Sequence, residues 1–122
     1  MGMDIYATNP KDPDNTYFRA NVWGWRGIHS FMSMACQNVY GKELDIKMTY
    51  NDGNGIPSNL AETCAAKMQE LYDKEFKDLE SYNPFIDDPT CPPDLVPAYS
   101  LPTQRLQQWI NFVKDSGGFK VW

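Results

Sequence analysis

The stretch from Tyr17 to His29, YFRANVWGWRGIH, concentrates the side chains of this sequence that are best suited to hold a ligand. It contains five aromatic or imidazole rings and two arginines, and it contains no acidic residue. An indole ring stacks on planar groups, and a guanidinium forms paired hydrogen bonds with phosphate or carboxylate. We therefore predict a ligand site here, formed by Arg19, Asn21, Trp23, Arg26 and His29.

A helical pattern divides this stretch between two faces. Counted at 100° per residue, Trp25 and Ile28 fall on the apolar side, whereas Trp23 and Arg26 point away from it. The pattern predicts that Trp25 and Ile28 build the core, while Trp23, Arg26 and Arg19 face a concave site. The alternative is that Trp23 packs under a neighbouring loop or the proline-rich arm, with Arg26 stacked on its indole ring.

A glycine-rich loop, NDGNG at 51–55, is predicted to close the same concave site. It leads into a predicted helix, and the unpaired N–H groups and positive dipole of a helix start favour an anion. The loop matches neither phosphate-binding glycine motif, and it fails as a calcium loop because Thr63 stands where a bidentate Glu is needed. A plain turn is the alternative. The candidate ligand residues of the loop are Asn51, Asp52, Gly53 and Asn54.

No catalytic residue, metal site or cofactor is predicted. His29 is the only histidine, and Cys36 lies seven residues further on, about 10 Å along a helix, which is too far for a Cys–His pair. Cys36, Cys64 and Cys91 are an odd number without a C-x-x-C pair. They are predicted to be free thiols that form no intramolecular disulfide and bind no zinc. The pattern favours a protein that is not an enzyme.

Composition restricts the partners of this chain of 122 residues. The net charge of −5 disfavours nucleic acid, which needs a basic face. No apolar run reaches the length of a membrane span, and the start MGMD lacks the features of a signal peptide. We therefore expect no membrane partner and a cytoplasmic location.

Three helices are expected, and each carries recognisable start or stop residues. Asn21 fits the first N-cap, and Asn59, with Glu62 three residues later, resembles a capping box for the second. Gly41 and Gly117 fit the positions just after the first and third helices. The expected helices cover about 22–40, 59–81 and 102–116. The residues predicted to be buried are Ile28, Phe31, Met32, Leu71, Trp109 and Val113.

The remaining segments indicate an α+β fold in one domain, residues 1–122. The expected strands lie near 3–7, 44–50 and 119–122. Residues 17–19 fit either a further strand or the approach to the first helix. A proline-rich arm at 82–102 is predicted to be non-regular. The predicted architecture is three helices packed on a small sheet of short strands, with this arm before the last helix.

Four motifs carry a resemblance to other proteins: MGMDIY at the start, YFRANVWGWR, the YNDGNG loop and DSGGF near the end. With these motifs in this order, the chain resembles a group of small uncharacterised proteins from bacteria and their phages. Members of that group carry Pro at the position of Gly27, and many have a Cys-rich insert of which only Cys91 remains here. The resemblance implies a bacterial or phage-encoded protein of the cytoplasm, and it transfers no activity and no metal site.

Two functions follow from these features. The first is a binding protein that sequesters a small anionic, nucleotide-like ligand in the pocket of Trp23, Arg26, Arg19 and the loop 51–55. The alternative is a phage inhibitor that binds a host or defence protein through its acidic second helix and its proline-rich arm. A pre-extended arm loses less conformational entropy on docking than a flexible segment does. The sequence leaves the oligomeric state open.

Overall fold

The computed structural model describes residues 2–50, 52–86 and 89–122. The strands are β1 (Gly2–Ala7), β2 (Tyr17–Asn21), β3 (Ser81–Tyr82), β4 (Leu101–Pro102) and β5 (Phe119–Val121). The helices are α1 (Val22–Tyr40), α2 (Lys42–Lys47), α3 (Ser58–Leu71) and α4 (Thr103–Ser116). The predicted α+β class is confirmed, but the predicted helix count is wrong, because the described residues form four α-helices and not three.

The main sheet is antiparallel and has the strand order β2-β1-β5. One face is buried against the helices because side chains alternate along each strand, as with Ile5, Phe18 and Val121. The other face carries Tyr6 and Tyr17 in solvent. The sequence left residues 17–19 open between a strand and the approach to the first helix. In the structure they are part of β2, an edge strand.

The predicted strand at 44–50 is wrong, because helix α2 and a turn occupy this part of the chain. Gly41 has a φ of +94°, which allows the chain to reverse direction directly after α1. The short helix has acidic residues in its first turn and Lys47 in its last, an arrangement that suits the helix dipole. The alternation of apolar and polar residues had assigned Asp45 to a strand, but Asp45 is buried on α2 against α1.

Helix α1 begins as predicted, since the Asn21 side chain accepts a hydrogen bond of 2.7 Å from the Gly24 N–H. The predicted apolar face is also confirmed. Five of the six residues predicted to be buried are buried, namely Ile28, Phe31, Met32, Trp109 and Val113. Leu71 is only partly buried and packs at the margin of the core.

Helix α3 differs from its prediction at both ends. It begins at Ser58 after Pro57, with no side-chain cap, so Asn59 lies inside the helix instead of capping it. Its α-helical part ends at Leu71, where a π-helical turn (Tyr72–Phe76) replaces the predicted continuation to Ser81. The wider turn aims Phe76 into the core, where its ring lies 5.2 Å from that of Phe31.

The proline-rich arm, predicted at 82–102 to be non-regular, is mostly turns over its described residues 82–86 and 89–102, with two short regular pieces that were not predicted. Residues Val96–Tyr99 form a 3₁₀ turn, and β3 pairs with β4, so that Tyr82 lies opposite Leu101. This pairing brings the two ends of the arm together. Among the described residues, no helix combines the length and the apolarity that crossing a bilayer requires.

Candidate functional site

The structure distributes the residues of the predicted site over three separate cavities. The edge cavity, about 500 Å³, is lined by Arg19, Asn21 and Trp23, together with Ser100 and Arg105. The helix cavity, about 670 Å³, is lined by Arg26 and His29, together with Trp25, Ser33 and Phe85. The loop cavity, about 520 Å³, is lined by Gly53 and Asn54, together with Ser58 and Lys120. Asp52 is exposed, and Asn51 lies outside the described residues.

The order of the strands explains why the loop does not reach the Trp23 side. Asn54 forms a β-bridge with Val121, so the loop extends the sheet beyond β5. Arg19 lies on β2, at the opposite edge. Three strand spacings of about 4.8 Å separate these positions by roughly 14 Å. Residues 52–55 therefore lie beside the last strand and do not close a cavity over Trp23.

The edge cavity begins with the backbone of β2. Asp4 exchanges both of its backbone hydrogen bonds with Trp122, so its pairing with Arg19 on the other side is of the non-hydrogen-bonded type. The N–H and C=O of Arg19 consequently point away from the sheet, towards the cavity. The carbonyl is met by the guanidinium of Arg105 on α4. The Arg19 N–H lies on the same side of β2, and none of the described residues accepts a hydrogen bond from it.

Arg105 is the cation of the edge cavity. Its guanidinium lies over the Phe18 ring at 4.3 Å from the ring centroid and donates a 3.0 Å hydrogen bond to Gln108. Burial lowers the pKa of Arg105, because desolvation disfavours its charged form. Within the described residues it forms no ion pair. A partly desolvated cation without a carboxylate partner is a feature that an anionic ligand would compensate.

The start of helix α1 lies at the same cavity, which Trp23 and Gly24 line. Asn21 occupies one N–H of the first turn, and the first turn contains no acidic side chain. The N–H groups of Val22 and Trp23 have no intrahelical acceptor. These groups and the positive end of the helix dipole add to the positive potential of Arg105.

The Arg19 side chain does not add to this potential, contrary to the role expected for it. It runs over the outer face of the sheet and forms a 2.6 Å ion pair with Asp4, which also accepts a hydrogen bond from Tyr17. The hydrogen bond from Tyr17, together with Arg19, holds the pKa of Asp4 below its usual value. Arg19 therefore contributes its backbone, and not its charge, to the cavity.

Trp23 is 39% exposed and packs edge-on against Tyr99 of the arm, with a ring separation of 4.8 Å. The guanidinium of Arg26 lies 5.9 Å from the centre of the same Tyr99 ring. The alternative interpretation of Trp23, packing against the arm, is therefore observed in part. Arg26, however, contacts the ring of Tyr99 rather than the indole.

The helix cavity adjoins a buried polar cluster centred on Asp45. The Asp45 carboxylate accepts hydrogen bonds from Ser33 (2.6 Å), Tyr40 (2.5 Å) and Gln37 (3.1 Å). Burial by itself would raise the pKa of Asp45, but the bonds from Ser33 and Tyr40 outweigh burial and lower it. Burial, followed by the bond to Asp45, raises the pKa of Tyr40. The carboxylate is thus held ionised and the phenol neutral.

His29 is held by Asp45 on helix α2. Its Nε2 lies 2.7 Å from the Asp45 backbone oxygen and 3.4 Å from the Asp45 carboxylate. Because a carbonyl oxygen only accepts, Nε2 is the donor of this hydrogen bond. With Asp45 bonded to three other side chains as well, the cluster orders α2 against α1. It does not form a nucleophile–base–acid chain, since Ser33 donates to Asp45 and not to His29.

The glycine loop is held by the sheet. Gly53 donates a 2.7 Å hydrogen bond to the Val121 carbonyl, and the Val121 N–H donates a 2.8 Å bond to Asn54. Gly53 has a φ of +92°, and a Cβ at this position would approach the Trp122 ring to 2.7 Å. These contacts support the plain-turn interpretation of 52–55, with glycine required by the backbone and by Trp122.

Arg105 is the residue that sequence reasoning missed. It is the only basic residue in the first half of α4, and its interaction with Arg19 spans 86 positions of the chain. No local motif connects the two positions.

The described residues contain no cluster of three or more His, Cys, Asp or Glu side chains placed to hold a metal ion.

Comparison with protein-family models, with curated protein sequences and with solved structures found no match. The resemblance to bacterial and phage proteins therefore remains a prediction. Fold and cavities together describe a small α+β protein with one electropositive cavity at a sheet edge and a larger, more apolar cavity beside α1.

Proposed function

We propose that this protein is a non-enzymatic binding protein that holds a small anionic ligand in the edge cavity. The observation that carries the proposal is Arg105, a partly buried cation without an acidic partner among the described residues. Three of the five N–H groups of a guanidinium remain after its bonds to Gln108 and to the Arg19 carbonyl. These groups are available to a phosphate or a carboxylate.

Other donors of the cavity support the same class of ligand. The Arg19 N–H and the start of α1 add uncharged donors, and none of the described residues that line the cavity is acidic. Anions bind at such helix starts through N–H groups and the helix dipole. The exposed face of Trp23 favours a planar group attached to the anion. A nucleotide-like ligand combines both groups, and a volume near 500 Å³ is within the usual range for small-molecule cavities.

The test compares adenosine monophosphate, adenosine and inorganic phosphate by isothermal titration calorimetry. We expect the monophosphate to bind more tightly than either part, because the phosphate contacts Arg105 and the base stacks on Trp23. Arg105→Gln should weaken monophosphate binding at least tenfold, since a hydrogen bond to a charged group contributes about 1.5–3 kcal/mol. Arg105→Lys should retain part of the affinity.

The matched control is Arg26→Gln, which changes an arginine near the same helix start but outside the edge cavity. It should leave the affinity for the monophosphate unchanged. Thermal unfolding of each variant separates binding from folding, because Arg105 also covers Phe18. Equal affinity of a folded Arg105→Gln variant and the wild type would contradict the proposal, as would equal binding of adenosine and its monophosphate.

Binding to a host or defence protein remains the alternative function, and one observation favours it. Ile86 on the arm is 70% exposed, and the segment that follows α3 carries acidic side chains in solvent. The arm and this segment therefore present both apolar and charged atoms to a partner. Loss of partner capture on Ile86→Ser, together with no effect of Arg105→Gln, would favour this alternative.

A further inference from the structure

The helix cavity carries a second inference that is independent of the proposed function. It is the larger of the two cavities beside α1, and it lies between that helix, the turn after α2 and the arm. We propose that the helix cavity binds an apolar molecule about 10 Å long, with a carboxylate at one end and a hydrogen-bond donor at the other. A short apolar peptide with free termini has this chemistry.

The apolar part of the inference rests on the side chains that line the helix cavity. Apolar and aromatic side chains from β1, from α1, from the turn after α2 and from the arm line the cavity, namely Met3, Val22, Trp25, Tyr50 and Phe85. Apolar lining with a few convergent polar groups is typical of small-molecule sites. The occupant must therefore bury an apolar or aromatic body.

The carboxylate end is assigned by Arg26. This guanidinium contacts the face of Tyr99 and forms no ion pair within the described residues. Of the described residues that line the helix cavity, Arg26 alone is a Lys or Arg. Guanidinium and carboxylate match in geometry and charge, so an acidic group of the occupant lies at this end.

The donor end is assigned by the hydrogen bonds that the polar lining already makes. Ser33 donates to the Asp45 carboxylate, and Thr49 donates to the Ile46 carbonyl at 2.6 Å. Nε2 of His29 donates to a backbone carbonyl as well. The hydroxyls of Ser30 and Tyr50, which also line the cavity, can donate or accept, but Ser33 and Thr49 have used their protons and present only acceptor atoms. These acceptors require a donor such as an ammonium, whose charge the nearby Asp45 also favours.

The length follows from the helix. Arg26 and Ser33 are seven residues apart on α1, about 10 Å at 1.5 Å per residue. Three extended residues span at most about 10 Å. A tripeptide with free termini therefore places its carboxylate near Arg26 and its amino group near Ser33.

The test uses the tripeptide Leu-Ala-Phe and two matched forms, N-acetylated and C-amidated, with binding measured by calorimetry. We expect 1:1 binding of the free tripeptide and at least tenfold weaker binding of each blocked form. Arg26→Gln should remove the preference for the free carboxylate over the amide. Thr49→Val, which deletes an acceptor and keeps the shape, should reduce the preference for the free amine.

Arg105→Gln is the control that separates the two cavities, and it should leave tripeptide binding unchanged. Equal binding of the free, the N-acetylated and the C-amidated peptides would overturn the inference, since the cavity would then recognise only the apolar body. Absence of binding at millimolar tripeptide would also overturn it. Either result leaves the monophosphate test of the edge cavity unaffected.

Discussion

At the scale of single residues, Asp45 is the side chain whose environment is most clearly specified. Ser33, Gln37 and Tyr40 lie at i, i+4 and i+7 on one face of α1, and all three donate to its carboxylate. A buried carboxylate with this many donors is costly to remove, because the donors are then left without acceptors. The three donors share a helix face in the sequence, but their acceptor was assigned to a strand, so the cluster could not be predicted.

We expect Asp45→Ala to lower the free energy of unfolding by about 2–4 kcal/mol, because several part-buried donors lose their acceptor. Urea unfolding followed by circular dichroism measures this loss. Asp52→Ala is the control, since Asp52 is exposed and its described hydrogen bond comes from the side chain of Asn54. Its effect should stay within about 0.5 kcal/mol. Similar effects of the two substitutions would contradict this role of Asp45.

The lowered pKa of Asp45 also predicts how stability depends on pH. A carboxyl whose folded-state pKa lies below its ordinary value of 3.8 stabilises the fold fully above that value. The stabilisation is lost as the pH falls from 3.8 through the lower folded-state pKa. The difference in unfolding free energy between the wild type and Asp45→Ala should therefore be constant near neutrality and shrink below pH 3.8. A difference that grows on acidification would disprove the assignment.

At the scale of elements, the contact between α1 and the arm is made by aromatic rings. Trp23 meets Tyr99 at 4.8 Å, and Tyr99 meets Phe85 at 4.4 Å. Such pairs contribute about 0.5–1.5 kcal/mol beyond the burial of area. The same rings separate the edge cavity from the helix cavity, since Trp23 lines one and Phe85 lines the other.

Trp23→Ala should therefore cost about 1–2 kcal/mol of unfolding free energy, less than a core truncation, because the indole is 39% exposed. It should also speed cleavage within the arm during limited proteolysis. Trp25→Ala is the comparison, and its buried ring, which donates a 3.0 Å bond to the Met48 carbonyl, should cost about 3–5 kcal/mol. A loss as large for Trp23 as for Trp25 would place Trp23 in the core.

At the scale of the whole molecule, the sequence predicted the parts of the fold that are determined locally. The faces of α1 and α4, the Asn21 cap and the ends at Gly41 and Gly117 follow from spacing and from backbone preference. Residues 44–50 were predicted wrongly because a segment of six or seven alternating residues is also compatible with a short helix. The hydrogen-bond partners of Asp45 lie on α1 and become apparent only in the folded structure. The candidate site was dispersed for a similar reason. The order of the strands places Asn54 and Arg19 at opposite edges of the sheet, and this order cannot be predicted from a single sequence.

The thiols provide a measurement of the whole fold. Cys36 and Cys64 are buried, and Cys91 is partly accessible. Contact with the Cys64 thiol, together with burial, raises the pKa of the Cys36 thiol. We expect iodoacetamide to modify Cys91 first, and to modify Cys36 and Cys64 only as the protein unfolds. Rapid modification of all three cysteines in the native protein would contradict the described packing.

The pairing of β3 with β4 has a practical consequence for engineering. Tyr82 and Leu101 lie opposite each other, so the arm begins and ends at neighbouring points of the fold. A chain opened at exposed Ile86 would yield an amino-terminal fragment carrying α1–α3 and a carboxy-terminal fragment carrying α4 and β5. Because α4 packs on α3 and β5 pairs with β1, the two fragments have the surfaces needed to reassemble as a split reporter.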